Sequence, residues 1–411
     1  MNSRERLLTA IDRGTPDHVP LLCWCFGFAA PPHLRWQRDG RDRRYWYTLR
    51  LEHIHTLPQP WDLEDDFRRV ERWLALGLDD VLEVSPPWGL HAEVRFRDWR
   101  EPPTAQEPCA FLGRAYATPA GELRHVVRQT QEETPPGWVI QPDQVPLIED
   151  FNIPRGVKHA VAGPEDLPKL RYLLGEPDAD QRAAYRQRMA AVRRFAGERG
   201  VLVQGWSAFG MDLAVWLCGV EGAVLMAMTQ PAAFEELMSL IAAFDRRRTE
   251  FMLEVGGVDL VVQRGWYSST EFWSPRLFRQ HTLPHLRLMS ALAHQAGARY
   301  AYAMTTGVMA LAEPLLEAGI DLLYYADPVQ DRLDLGAAKA VFGGKIALAG
   351  GVNSGVTLAG GSREEVRRAV AEAVGALGPD GFILAPVDAL FPDTPWESVQ
   401  AMIEAWREVR G

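Results

Sequence analysis

Cysteine is scarce: the 411 residues hold four, Cys23, Cys25, Cys109 and Cys218, and none follows position 218. That excludes a disulfide framework and fits free thiols in a reducing compartment. No apolar stretch reads as the roughly 18 residues that a membrane span requires. The start, Met1-Asn2-Ser3-Arg4-Glu5-Arg6-Leu7-Leu8, is charged and amphipathic rather than apolar, so the expected location is the cytoplasm. Basic excess is absent as well. A net charge of -10 and a pI near 5.6 oppose binding to a phosphate backbone, which needs concentrated Lys and Arg. No internal repeat, low-complexity tract, Gly-x-Gly-x-x-Gly or Walker pattern occurs.

What is present is an ordinary globular composition, 47% apolar and 24% charged, enough for a sizeable core. From about residue 200 short β-branched runs alternate with long amphipathic stretches, the rhythm of a parallel sheet covered by helices. Strands are predicted at 201–203, 258–262, 298–302, 320–324, 345–349 and 381–384, with two more at 18–23 and 80–84. Together they supply the eight strands of a (β/α)8 TIM barrel. Val366, Val370, Val374 and Leu377 recur at i, i+4, i+8 and i+11, one apolar stripe on a covering helix. Residues 91–150 break the rhythm with alternating segments such as Ala92-Glu93-Val94-Arg95-Phe96-Arg97. They predict an antiparallel β insertion after strand 2, within a single domain covering 1–411.

Several stretches resemble the uroporphyrinogen decarboxylase superfamily. They are the opening Arg4 to Pro20; Ser274-Pro275-Arg276-Leu277-Phe278-Arg279 with Leu283-Pro284; Glu317-Ala318-Gly319-Ile320-Asp321; Gly350-Gly351-Val352-Asn353; and Pro392-Asp393-Thr394-Pro395. The resemblance implies a TIM barrel with its site at the C-terminal strand ends. It also implies one of two activities, decarboxylation of a pyrrole carboxylic acid or methyl transfer in corrinoid-dependent one-carbon metabolism.

Carried over position by position, the resemblance changes. The segment 23–32 contains no arginine where the decarboxylases bind substrate carboxylates, and either Asp79 or Asp80 matches their aspartate after strand two. Trp216 replaces a tyrosine beyond strand three, and Asp388 stands where the last loop carries a histidine. The zinc-dependent methyltransferases use His-x-Cys and a last-loop Cys; the same frame here reads Tyr302, Met304 and again Asp388. The resemblance therefore implies an enzyme outside both groups, a zinc-independent methyltransferase or demethylase acting on a small organic substrate. A decarboxylase and a noncatalytic ligand-binding barrel stay open as alternatives. No cofactor bound by the chain itself is expected; a corrinoid on a partner protein is implied, a homodimer stays open, and neither nucleic acid nor membrane is an expected partner.

The candidate catalytic residues are Asp388, Asp327 and Arg264. Asp388 follows the last strand, and Asp327 follows Tyr324-Tyr325-Ala326 at the rim of strand six, where it either acts as a second acid or caps the next segment. Arg264 follows 258–262, either to bind a substrate carboxylate or to pair with a structural acid. Candidate substrate-binding residues are Trp24, Gln204, Trp206, Gln263, Trp266, Tyr267, Tyr302 and Asn353. Of 14 tryptophans, Trp24, Trp88, Trp206 and Trp266 fall where strands end, as walls for an aromatic ligand or as core filler.

No metal site is expected. Cys23 and Cys25 share one strand face and read as buried structural thiols, while His53 and His55, two apart, point away from one another on a helix. His281 and His285 have i, i+4 spacing without further ligands nearby in sequence. The glycines around strand seven, Gly343-Gly344, Gly350-Gly351, Gly355 and Gly360-Gly361, are explained either by a phosphate site or by loop geometry.

Overall fold

The computed structural model describes residues 1–25, 28, 30–36, 63–129, 145, 147–148, 152–391 and 393–411. His53, His55 and most of 130–150 lie outside the described residues. Among the described residues eleven strands follow in chain order: β1 (Val81–Val84), β2 (Arg95–Glu101), β3 (Phe111–Thr118), β4 (Gly121–Arg128), β5 (Gly156–Lys158), β6 (Leu202–Ala208), β7 (Leu260–Arg264), β8 (Arg299–Ala303), β9 (Leu322–Ala326), β10 (Ala347–Asn353) and β11 (Phe382–Val387). Seven of them form a parallel sheet in the order β1-β6-β7-β8-β9-β10-β11. The other four, β2-β3-β4-β5, form an antiparallel sheet where the broken rhythm predicts one, extended to Lys158 by β5.

The parallel sheet curls. Side chains from both of its edges, Val81 of β1 and Ile383 of β11, join Leu202, Leu260, Ala301, Leu322 and Ala347 in one interior cluster. Helix Ser3–Ile11, started by an Asn2–Glu5 capping box, lays Leu7, Ala10 and Ile11 on that cluster. The outward sides of the strands pack on the helix layer, where Val366, Val370, Val374 and Leu377 of helix Arg363–Leu377 are all buried as predicted.

The closed eight-stranded barrel predicted from sequence is corrected in one respect. The segment expected as strand one makes isolated parallel bridges, Leu21 to Leu384 beside β11 and Leu22 to Asp79 ahead of β1, rather than a regular strand. Pro20 has no N–H to give to a ladder, so this part of the segment can bond only through its carbonyl, which accepts from Leu384 N at 2.9 Å.

A second correction concerns apolar length. Helix Met211–Thr229 has 19 residues and a mean hydropathy of 1.6, long and apolar enough by length and composition to cross a membrane. Two-thirds of that stretch is buried inside the fold, and the helix carries Asp212 and Glu221. It bends at Gly219 (φ 72°), where a Cβ would sit 2.3 Å from the His159 ring, so the left-handed kink and the close approach both require glycine.

His159 faces His125 of β4 across 6.1 Å, and both His125 ring nitrogens are buried with no hydrogen-bond partner. Burial first, then the neighbouring His159, Arg155 and Arg114, push the His125 pKa down from 6.5 to about 3. The unfolded chain therefore takes up a proton below about pH 6.5 that the folded chain refuses until about pH 3, and stability falls as pH falls through that window. Between about pH 7.5 and pH 5 this group alone is expected to remove about 2 kcal/mol, read as a lower denaturation midpoint. His125→Gln should flatten the dependence; an equally steep profile in that variant would assign the acid sensitivity elsewhere.

Candidate active site

The alternation of side chains along each strand decides which candidates meet. On β6, Gln204 and Trp206 share the interior face with Leu202. Trp24 lies between Cys23 and Cys25, whose side chains are buried in the outer core, and it turns inward. Arg264 ends β7 and Trp266 follows in the 3-10 turn Trp266–Ser268. The three indoles gather at the C-terminal end of the sheet. Ring centroids are 5.9 Å apart for Trp24 and Trp206, 5.9 Å for Trp206 and Trp266, and 6.5 Å for Trp24 and Trp266.

Two carboxylates hold these indoles. Asp388 accepts the Trp266 Nε1–H at 3.0 Å, from a backbone with φ 72°, a left-handed conformation that only a few per cent of non-glycine residues adopt. Glu83 of β1 accepts from Trp24 Nε1 at 2.9 Å, Trp206 Nε1 at 2.9 Å and Gln204 Nε2 at 3.0 Å. Sequence reasoning missed Glu83, although a signal existed: it is the one charged residue in Val81-Leu82-Glu83-Val84 and shares the parity of inward-facing Val81. Tyr325 was also unassigned. Its ring stands 6.2 Å from Trp266, and burial, Asp388 and Tyr324 raise its pKa well above the ordinary value, against the pull of Arg264.

Arg264 is a bound cation rather than a waiting one. Its guanidinium lies 4.5 Å over the Trp266 ring and 4.7 Å over the Trp216 ring, with Nε 3.4 Å from Asp212 Oδ2. Asp212, fully buried in the first turn of helix Met211–Thr229, also accepts the Tyr267 backbone N–H at 2.9 Å. The paired structural arginine is therefore the alternative that the geometry supports. Trp216, met in sequence only as a replacement for tyrosine, is the lower face of this sandwich.

Five expected site residues stand elsewhere. Because Arg264 faces inward, adjacent Gln263 faces the helix layer, where its Oε1 accepts from Tyr300 Oη at 2.6 Å and lies 3.1 Å from His285 Nδ1. Tyr302 shares that outward parity and bonds Ser268 under Gly265, fully buried. Tyr267 turns aside to pack on Phe272 at 6.0 Å. Asp327 is buried and capped: Oδ1 accepts from Val329 N at 2.8 Å and Gln330 N at 3.1 Å, and Oδ2 accepts from Asn353 Nδ2 at 2.9 Å. Asn353 in turn caps the next turn through Val356 N at 2.7 Å. These two residues hold loops together.

Asp79 and Asp80 precede β1 at the opposite end of the sheet, bound to Arg6 at 2.7 Å and Arg69 at 2.7 Å. Between them and the indoles lies a void of about 10 Å³ lined by Trp24, Arg69, Asp80, Gln204, Tyr324 and Tyr325, room for roughly one water. A surface cleft of about 410 Å³ opens near Gly351, Gly360 and Gly361, with Glu365, Arg368 and Glu372 on its wall. The helix start beside it is occupied by the Ser362–Glu365 capping box, and Gly350 belongs to a strand irregularity where a Cβ would meet the Ala326 backbone at 2.6 Å. Backbone packing explains Gly350 without a phosphate.

The four cysteines are free, Cys109 partly exposed and the others buried. His285 sits 3.1 Å from Asp245, and His281 stacks edge-on against Phe234. Among the described residues no three His, Cys, Asp or Glu side chains converge as a metal site would require.

A curled parallel sheet with helices outside, and polar and aromatic side chains converging at its C-terminal strand ends, defines an α/β protein of TIM-barrel-like architecture. The family model described as uroporphyrinogen decarboxylase (URO-D) matches residues 149–409. The chain belongs to the uroporphyrinogen decarboxylase family. Among solved structures it is similar to a methyltransferase from Methanosarcina mazei, with 16% identity, TM-score 0.59 and 99% of each chain covered, which shows the shared fold. It is less similar to a B12-independent methionine synthase from Shewanella sp. W3-18-1, with 9% identity, TM-score 0.37, and 53% of this chain and 64% of that chain covered. No curated protein sequence matches.

Proposed function

We propose that this chain is a TIM-barrel enzyme that removes or transfers a methyl group from a small, partly aromatic organic substrate, without a thiolate-zinc site, to a corrinoid carried by a partner protein. The observation that carries the reading is the mouth itself: three indoles bracketed by Glu83 and Asp388 above an interior void of about 10 Å³. An aromatic wall of that kind suits a small planar ligand. The family membership and the methyltransferase named among similar structures support the same reading. At the positions aligned with the zinc set, Tyr302 and Met304 are fully buried and bring no thiolate or imidazole.

In this reading the indoles stack on the substrate and Asp388 donates a proton to its leaving oxygen as the methyl–oxygen bond breaks. Arg264, fixed between Trp216 and Trp266, holds the wall at its back. A corrinoid, when bound, supplies the nucleophile that takes the methyl group.

The test is to incubate the protein with aryl methyl ethers and reduced cobalamin, following the corrinoid absorption spectrum, and in parallel with uroporphyrinogen. Methyl transfer without CO₂ release is expected. Release of CO₂ from uroporphyrinogen would overturn the proposal, and binding without turnover in either assay would support the noncatalytic barrel.

A further inference from the structure

We infer that Glu83 is a positioning residue that sets the orientation of the aromatic wall, and through it the selectivity for aromatic methyl donors; the selectivity rests on the function proposed above. Glu83 stands on β1, and the two indoles it holds come from the elements on either side: Trp24 from the bridging segment and Trp206 from β6. One 3% exposed carboxylate thus ties together three neighbouring staves at the height where the substrate would lie. The division of bonds is specific. Oε2 takes Trp24 Nε1, whereas Oε1 takes Trp206 Nε1 and Gln204 Nε2.

An indole ring turns easily about its side-chain bonds, and its N–H is the only polar handle by which it can be fixed. A buried carboxylate suits two such handles because it offers only acceptors. Glutamine in its place is nearly the same size but presents an NH₂ group to at least one N–H donor. That indole loses its carboxylate acceptor and its orientation then rests on packing against the neighbouring rings. Gln204 extends the arrangement, since its Oε1 accepts from Tyr324 Oη at 3.3 Å, carrying the alignment from β6 to β9.

The test is a double-mutant cycle. Glu83→Gln, Trp24→Phe, Trp206→Phe and the two double variants containing Glu83→Gln are compared by near-ultraviolet circular dichroism, acrylamide quenching and methyl-transfer kinetics. The probes are 4-methoxybenzoate and the non-aromatic methoxyacetate. Glu83→Gln is expected to weaken the tryptophan dichroism and to raise KM for 4-methoxybenzoate about tenfold with kcat within about twofold. KM for methoxyacetate should stay unchanged. The double variants should change less than the sum of the singles, because a ring without N–H has nothing for Glu83 to hold.

A wild-type dichroism spectrum in Glu83→Gln, or strictly additive double variants, would overturn the inference. If the wild type transfers no methyl group, the proposed function falls while the spectroscopic cycle still decides the role of Glu83. Should Glu83→Gln fail to fold, Trp206→Phe removes one N–H and keeps a ring. Its KM for 4-methoxybenzoate must then rise with KM for methoxyacetate unchanged, and an equal change for both probes would overturn the inference.

Discussion

Arg69→Leu is expected to cost about 3–5 kcal/mol of folding stability. Arg69 is completely buried; its Nη1 donates to Asp80 Oδ1 at 2.7 Å, its Nη2 to the Val81 carbonyl at 2.9 Å, and its Nε lies 3.6 Å from Asp66. Leucine fills much of the volume but leaves two nearly fully buried carboxylates without their cation. The penalty is the uncompensated charge rather than the lost attraction. Replacing Arg69 and Asp80 together by leucine and asparagine should therefore recover part of the loss. Denaturant unfolding measures both, and a single-variant loss under about 1 kcal/mol would show that the carboxylates find other partners or protonate.

Asp388→Asn is expected to lower kcat for methyl transfer by about 10²- to 10⁴-fold while leaving the fold intact, the usual share of a general acid. The substitution is unusually clean. Asparagine tolerates the left-handed φ of 72° as aspartate does, and its Oδ1 still accepts the Trp266 N–H, so the wall keeps its anchor. The ability to give up a proton disappears, together with the charge that raises the Tyr325 pKa. Retained ligand affinity with lost turnover separates a catalytic carboxylate from a binding protein; unchanged turnover would move the acid role away from Asp388.

Much of the fold was legible because parallel strands announce themselves as short apolar runs. Residues 381–384 became Phe382–Val387 and 258–262 became Leu260–Arg264, each observed strand running further toward its C-terminal end than its apolar core suggested. That shift explains part of the site. Polar residues just past an apolar run belong to the strand itself, so strict alternation governs them, and Gln263 and Arg264 cannot both face the interior. Sequence placed both at the strand end without fixing which one pointed in.

Glu83 was hidden for the opposite reason: in a four-residue strand one charged position is too little to reveal a period. Asp327 was visible as a rim residue and Asn353 as a substrate-binding candidate, but the 2.9 Å bond that occupies them joins the residue after β9 to the end of β10, 26 residues on, and exists only after the sheet has formed. The pairing of Arg264 with Asp212, from the helix after β6, was invisible for the same reason. Local pattern predicted the addresses, and tertiary contact decided the occupations.

The bridging segment gives the mouth an uneven mechanical character. Trp206 is carried by β6, which pairs with β1 as far as Gly205 and with β7 through Trp206 itself, whereas Trp24 hangs from a strip tied down by scattered backbone bonds, among them Leu22 N to Leu384 O, Asp79 N to Leu21 O and Leu390 N to Trp24 O. Backbone without a regular ladder opens locally at a lower free energy than a strand of equal burial. Compliance is therefore concentrated on the Trp24 flank, and the β6–β7 side acts as the stiff jaw against which it yields.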